Sequence, residues 1–385
     1  FELAVNGGAM LTVAGSAITA NPLKIFTRNS FATSTGITSG YNVRATGSTA
    51  SSWKFNLHYG NYDGENFDDD AAGDPGYIRW DDSSSDITIE GQVSSDEGTA
   101  VSSVCDGSTQ VVRLMVQGAG SYTSSCDGSG LYSISGVFFN PGDTLTVFLD
   151  TNGGVRAANV SVDPITNITD MDLYENRVIV RHEDTTPINI ADMVIYDADD
   201  DSDIPFTATD AATDTLVLPA EKKLIVWTGK TFAPAGNITV NSGGSGNAWD
   251  GSLEVQTGAT LTAAGTQSHA VGGSFTLGTS ATFASASSTV TLTATTTGKT
   301  IHPQTSSFYN LVFNGVGGNW SFASGNATTT GDITITNGTL TLPSGTLSVA
   351  GSFDNSGGTI MHNNGTVYLT ALVTGKNVRT NGSNL

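Results

Sequence analysis

Ser288-Thr289-Val290-Thr291-Leu292-Thr293-Ala294, followed by Thr297-Gly298-Lys299, returns as Gly365-Thr366-Val367-Tyr368-Leu369-Thr370-Ala371, followed by Thr374-Gly375-Lys376; the offset from Ser288 to Gly365 is 77 residues. Two further anchors keep the same order. Gly273-Ser274-Phe275 recurs as Gly351-Ser352-Phe353, and Ser252-Leu253-Glu254-Val255 as Asp332-Ile333-Thr334-Ile335, at offsets of 78 and 80 residues. Short Thr/Val segments separated by Gly, Asn and Ser turns are what stacked rungs need, each rung covering the edge of the one before. Residues 236–385 are therefore expected to form a right-handed β-helix or β-solenoid.

The rest of the chain is also β in character. Gly occurs 46 times among 385 residues, Thr and Val are abundant, and no convincing helix of ten residues appears; β-branched residues favour pleated strands and Gly punctuates turns. Lys and Arg total 15 against 36 Asp and Glu, a formal charge of −21, with charged residues only 13% of the chain. Such a surface repels nucleic-acid phosphates and anionic lipid, so no nucleic-acid partner is expected, and divalent cations are its natural counter-ions. No apolar run approaches the roughly 18 residues of a membrane-spanning helix. The start at Phe1, without Met or a basic leader, fits a mature exported product or a fragment.

Outward from the repeats, the chain divides into 1–86, a β domain with an acidic loop; 87–162, a compact sandwich; 163–235, a β-rich domain with an Asp-rich loop; and the repeats of 236–385. Cys105 and Cys126 each stand in Cys-Asp-Gly-Ser. In an exported chain they are expected to form a disulfide, the alternative being two free thiols. The bond would close a loop of about 20 residues and stabilise by about 3 kcal/mol in the chain-entropy model.

In residues 87–162 the order Ile89-x-Gly91-x-Val93, Asp96-Glu97-Gly98-Thr99, Val111-Val112-Arg113-Leu114-Met115-Val116, Gly130-x-Tyr132-x-Ile134 and Pro141-Gly142-Asp143 before a β-run resembles transthyretin-like, carboxypeptidase-regulatory-like modules. The resemblance implies an Ig-like sandwich that acts as a rigid spacer without catalysis. The repeat half resembles the long, repeat-rich surface proteins of candidate-phylum bacteria.

Chemistry-bearing residues are sparse. Asp197, Asp199, Asp201 and Asp203 alternate through one turn, and Asp63, Glu65, Asp68 and Asp70 cluster around Gly64. Calcium takes six to eight oxygen ligands, and flexible Asp loops supply them, though the Gly and Glu of a helix-loop-helix calcium loop are missing. The other reading is two solvated acidic loops. Calcium is the one cofactor these residues point to. Paired carboxylates on a solenoid face could hydrolyse glycans, but 236–385 holds only Asp250, Glu254, Asp332 and Asp354. His58, His182, His269, His302 and His362 fall in no zinc spacing. No phosphate loop, dinucleotide fingerprint or nucleophile elbow is present, so no enzyme is expected. Trp53, Phe55, Tyr59, Tyr62, Tyr77 and Trp80 form either a core or a sugar-stacking patch. Of the N-x-S/T triplets, those at Asn159, Asn167, Asn326 and Asn364 are examples that permit glycosylation.

In the first repeat copy, Asn310-Leu311 runs on into Val312-Phe313-Asn314-Gly315; in the second, Asn384-Leu385 is the last pair given. Phe1-Glu2-Leu3-Ala4-Val5-Asn6-Gly7-Gly8 has the character of the strand that would follow. The sequence-level expectation is thus a secreted structural subunit of an extracellular filament or cell-surface layer such as an S-layer. Copies would join head to tail by strand addition, with Phe1, Leu3 and Val5 meeting Val367, Leu369 and Leu385. The other readings are a proteolytic boundary and a cell-surface adhesin or carbohydrate-binding stalk with glycans as partners.

Overall fold

The computed structural model describes residues 5–6, 45–46 and 87–385, apart from 140–141, 152–153, 211–213, 324 and 384–385. It divides into two compact units, Phe1–Ile87 with Ser135–Pro141 and Thr88–Ile134 with Gly142–Leu385. In the first, β1 (Val5–Asn6) runs parallel to β2 (Ala45–Thr46), with Val5 opposite Ala45.

The second unit is almost wholly β. β3 (Ile87–Ser94), β4 (Gln110–Val116), β5 (Gly120–Ser125), β6 (Leu131–Val137), β7 (Thr144–Leu149), β8 (Ala158–Val162) and β9 (Leu173–Tyr174) come first. β4 is antiparallel to β5 and β7, and β7 to β8, while β3 lies between β6 and β9. Then the pairing changes sense. β10 (Arg177–His182) is parallel to β8, and after one helical turn, α1 (Ile190–Met193), antiparallel β11 (Thr207–Thr209) leads into β12 (Thr215–Leu218).

From there strands follow in threes. They are β13 (Lys223–Val226), β14 (Thr231–Phe232) and β15 (Asn237–Val240); β16 (Leu253–Val255), β17 (Thr260–Thr262) and β18 (Ser268–Val271); then β19 (Phe275–Leu277), β20 (Thr282–Ala284) and β21 (Thr289–Leu292). β22 (Lys299–His302), β23 (Asn310–Phe322), β24 (Ala327–Thr329), β25 (Ile333–Thr341) and β26 (Thr346–Val349) continue the coil, and β27 (Phe353–Asn355), β28 (Thr359–Met361), β29 (Thr366–Leu369) and β30 (Val378–Arg379) complete it.

Each strand pairs in parallel with the one a turn later, giving a β-solenoid of about 10 turns over residues 158–379. Face A runs β12, β15, β18, β21, β23, β25, β27, β30. Face B runs β8, β10, β13, β16, β19, β22, then the second halves of β23 and β25, then β28. Face C holds β14, β17, β20 and, after the bridge of Phe308 to Thr329, β24, β26, β29. At about 4.8 Å per turn the stack is about 48 Å long. Alternate residues point inward, so each face contributes one apolar column. On face A it reads Leu216, Ile238, His269, Val290, Leu311, Ile333 and Phe353, all buried.

The start of the solenoid is closed. Ile190 and Met193 of α1, with Ile204, Phe206 and Ala208, pack into the same core as the first turns. Asn189 caps the helix reciprocally: Asp192 N donates to Asn189 Oδ1 at 3.2 Å and Asn189 N to Asp192 Oδ2 at 2.8 Å. At the other end, among the described residues, β28, β29 and β30 pair only backward, onto β25, β26 and β27. Met361, Tyr368, Leu369, Leu372, Val373 and Val378 are exposed there, Leu372 almost completely at 99%.

One expectation changes. Residues 163–235 are not a separate domain: the ladders run from β10 to β13 and from β12 to β15, straight across the boundary at 235. The long repeat is not a whole number of turns. Ser252 opens a face-B strand but its counterpart Asp332 a face-A strand, and β21 on face A matches β29 on face C. Every anchor is displaced by 11 strand positions, three turns and two faces, so the similarity belongs to single strand-and-corner units of about seven residues.

Candidate functional site

Three arrangements of polar side chains stand out, and each holds solenoid turns to each other or to what covers them.

The first is a spine of corner clasps. At the mouth of a strand a side-chain oxygen accepts the backbone N–H of the corresponding residue one turn on. Ser252 Oγ accepts from Ser274 N at 3.0 Å, and Ser274 Oγ from Thr300 N at 3.0 Å. Asn310 Oδ1 accepts from Asp332 N at 2.9 Å, Asp332 Oδ1 from Ser352 N at 2.6 Å, and Ser352 Oγ from Asn377 N at 3.2 Å. Asn237 to Ser268 and Asn326 to Thr346 are the same contact, at 2.8 Å each. Ser252, Ser274 and Thr300 map onto Asp332, Ser352 and Asn377 at the long-repeat offsets. The sequence repeat therefore records the clasp, moved to another face. Lys376 also reaches Asp332 Oδ1, at 2.9 Å; it and the Ser352 N–H hold that carboxyl below its ordinary range despite partial burial.

The second is a buried charged seam. The outward sides of β10 and β13 are covered instead of solvated, with Tyr174, Ile179, Ile225 and Trp227 packed together there. Through this layer pass Arg177, Arg181 and Lys223, all buried. Arg181, 2% exposed, donates through Nε to Glu183 Oε1 at 2.6 Å, through one amino group to Asp170 O at 2.7 Å, and through the other to Asp170 Oδ1 at 2.9 Å and Glu183 Oε2 at 3.1 Å. Its guanidinium lies 5.7 Å from the Trp227 ring centroid. Arg177 bonds Glu97 at 3.1 Å and stacks 4.7 Å from the Trp249 ring. Lys223 bridges Glu97, at 2.8 Å, and Glu254. Burial alone would raise the Glu97 and Asp170 carboxyls, but Lys223 with Arg177, and Arg181 with Trp227, hold them below their ordinary range. Asp172 is the exception. Burial raises it, and the N–H of Gln92 at 2.9 Å and the Tyr174 hydroxyl at 3.1 Å do not compensate.

The third is the Asp-rich turn. Asp197 and Asp203 are buried. Asp197 accepts the N–H groups of Asp199 at 2.8 Å and of Ala208 at 2.6 Å, tying the turn to β11. Asp203 accepts Thr151 N at 2.7 Å and lies 4.0 Å from Arg156, and Asp201 lies 3.7 Å from Arg113. Asp197, Asp201 and Asp203 thus brace the closed end of the solenoid. Among the described residues no group of three His, Cys, Asp or Glu could hold a metal ion. Asp63, Glu65, Asp68 and Asp70, the aromatic segment from Trp53 to Trp80, and Phe1, Leu3 and Leu385 lie outside the described residues.

Of the remaining expected positions, Cys105 and Cys126 form a disulfide. Asp106 and Asp127 beside them each accept two backbone N–H groups in matching turns. Val5 lies in β1, paired to β2 of its own unit, while Val367 and Leu369 lie on β29 at the open end. Asn159 is buried in β8, which removes its triplet as a glycosylation site. Arg113, Arg156, Arg177, Arg181, Lys222, Lys223, Lys230, Lys299, Lys376 and Arg379 each contact an acid or a neutral oxygen. Among the described residues no helix is long and apolar enough to cross a membrane.

Sequence reasoning missed the seam and the clasps. The seam's signal was present, since Arg177-Val178-Ile179-Val180-Arg181 and Lys223-Leu224-Ile225-Val226-Trp227 place cations and Trp on the side of a strand that a solvated rung would fill with Thr or Ser. Comparison with known proteins returned no matching family model, no matching curated protein and no matching solved structure.

Proposed function

We propose that this chain is a structural element of an extracellular filament or cell-surface layer, a stiff solenoid whose work is mechanical. The observation that carries the reading is the run of parallel ladders from β8 to β30, reinforced at its corners by side-chain clasps and anchored by a buried ionic seam. Parallel ladders put many backbone hydrogen bonds in series along one axis, and clasps add a second bond at each corner. In this reading the transthyretin-like segment ahead of the solenoid is a rigid spacer. The disulfide supports an oxidising, extracellular location. Among the described residues β28, β29 and β30 pair only with β25, β26 and β27, and Tyr368, Leu369 and Leu372 are exposed; in this reading a strand of another copy adds there.

Negative-stain microscopy and analytical ultracentrifugation of the purified chain beside a Leu369→Lys, Leu372→Lys variant test this. Filaments or sheets from the native chain and dispersed particles from the variant are expected. Dispersed native particles at all concentrations would sink the assembly step. A second reading, a glycan-binding stalk, draws on Trp227 and Trp249, both half-buried beside arginines on the outer side of face B. A glycan array with a Trp249→Ala control decides between the two.

A further inference from the structure

The inward column of face A contains one residue that is not apolar in the ordinary sense. His269, on β18, is 1% exposed, stacked between Ile238 of the turn before and Val290 of the turn after. Neither ring nitrogen has a partner. An imidazole so placed forgoes hydrogen bonds at both ring nitrogens even when neutral, and becomes far costlier once it carries charge without a counter-ion.

No such counter-ion faces it. β15, β18 and β21 contribute no acid, and β17, β19 and β20 across the core contribute only Thr, Leu, Phe and Ala. β16 carries Glu254, whose carboxylate is turned outward to Lys223. Asp250 is buried but engaged by the N–H groups of Glu221, Gly243 and Ser245, and Lys299 by Asn247 O.

We infer that His269 is an acid-sensitive latch, which holds the turns β15, β18 and β21 together while uncharged and opens them when it takes up a proton. Opening there would unpair three adjacent rungs in the middle of the solenoid and expose their strand edges, a local change that acidification of the surroundings would trigger.

Burial pushes the imidazole from its ordinary 6.5 down to about 4. A group whose folded pKa is depressed in this way costs nothing above the unfolded value, and its cost grows as pH falls below about 6.5 until the folded value is reached. Between pH 7 and pH 4 the open fraction of these turns is therefore expected to rise about 100- to 200-fold from this residue alone.

Hydrogen exchange followed by mass spectrometry, on the whole chain and on a His269→Leu variant at pH 7 and pH 4 with rates corrected for intrinsic exchange, tests the latch. The native chain should lose protection in 237–240, 268–271 and 289–292 at pH 4, and the variant should keep it. Equal loss in both, or loss in neither, overturns the inference. Exchange of the imidazole C2 hydrogen in the native chain is independent of how the variant folds. A midpoint for His269 below 5 agrees with the latch, and one near 6.5 refutes it.

Discussion

Replacing Arg181 by Ala tests whether the seam is held by its ions or only covered by its apolar layer. The side chain makes four hydrogen bonds, two to Glu183 and two to Asp170. Asp170 is half exposed and can recover water, so its share is small, about 0–1 kcal/mol. Glu183 is 10% exposed; without Arg181 it keeps only Ser161 Oγ at 2.7 Å and Lys230 at 3.3 Å. Two hydrogen bonds to a buried carboxylate, with no water to replace them, set the loss at about 3–5 kcal/mol, the range for breaking a buried ion pair from one side. Urea denaturation monitored by Trp fluorescence measures it, since Trp227 packs against the guanidinium. The double variant Arg181→Leu, Glu183→Leu should recover most of the loss, because the unpaired charge is gone. A loss below about 1 kcal/mol for Arg181→Ala, or a double variant no better than the single, would show that the ions do not hold the seam.

Further outcomes follow from the clasps, the seam and the disulfide. Ser274→Ala removes the acceptor of Thr300 N and should cost about 1–2 kcal/mol, with faster hydrogen exchange at Thr300 than at Thr341, which lies outside the clasp. At Asp172 the folded pKa is raised by burial, so ionisation destabilises the fold as pH rises through the carboxylate range. Asp172→Asn should then gain stability over the native chain at pH 7 and show no gain at pH 3, whereas Glu97 and Asp170, depressed in the fold, lose their contribution as pH falls. A gain that is the same at both pH values would contradict this. Reducing the Cys105–Cys126 disulfide, which spans a sequence separation of 21 residues, should lower the thermal midpoint in line with about 3 kcal/mol, read by calorimetry with and without reductant.

The solenoid was legible because its rungs are exposed on their outer side. In β21, Thr289 and Thr291 face out while Val290 and Leu292 face in, and that alternation survives in the sequence. β10 and β13 obscure it: both sides are buried, so Val178-Ile179-Val180 and Leu224-Ile225-Val226 read as strands of a separate β-rich domain. Hence the first turns were assigned to a separate domain. The disulfide is readable from paired Cys-Asp-Gly-Ser turns, whereas the bracing contacts of the Asp197–Asp203 turn are not. Composition cannot show that backbone N–H groups occupy its carboxylates. The phase of the repeat was hidden for a different reason. A corner clasp needs only a small polar residue before a strand, a requirement identical on all three faces, so Ser252 and Asp332 align in sequence though they open different faces.

Whether the ladders bear load along the solenoid is read by stretching single molecules held at the two ends of 158–379. With offsets of 25 residues from β27 to β30 and of 20 residues from β25 to β27, β25 to β28 and β26 to β29, each of these turns peeled from that end should release about 65–80 Å of chain. The account expects a series of such steps, with markedly lower forces in the Ser274→Ala and Arg181→Ala variants when peeling reaches those turns. A smooth extension without steps, at forces the variants leave unchanged, would contradict it.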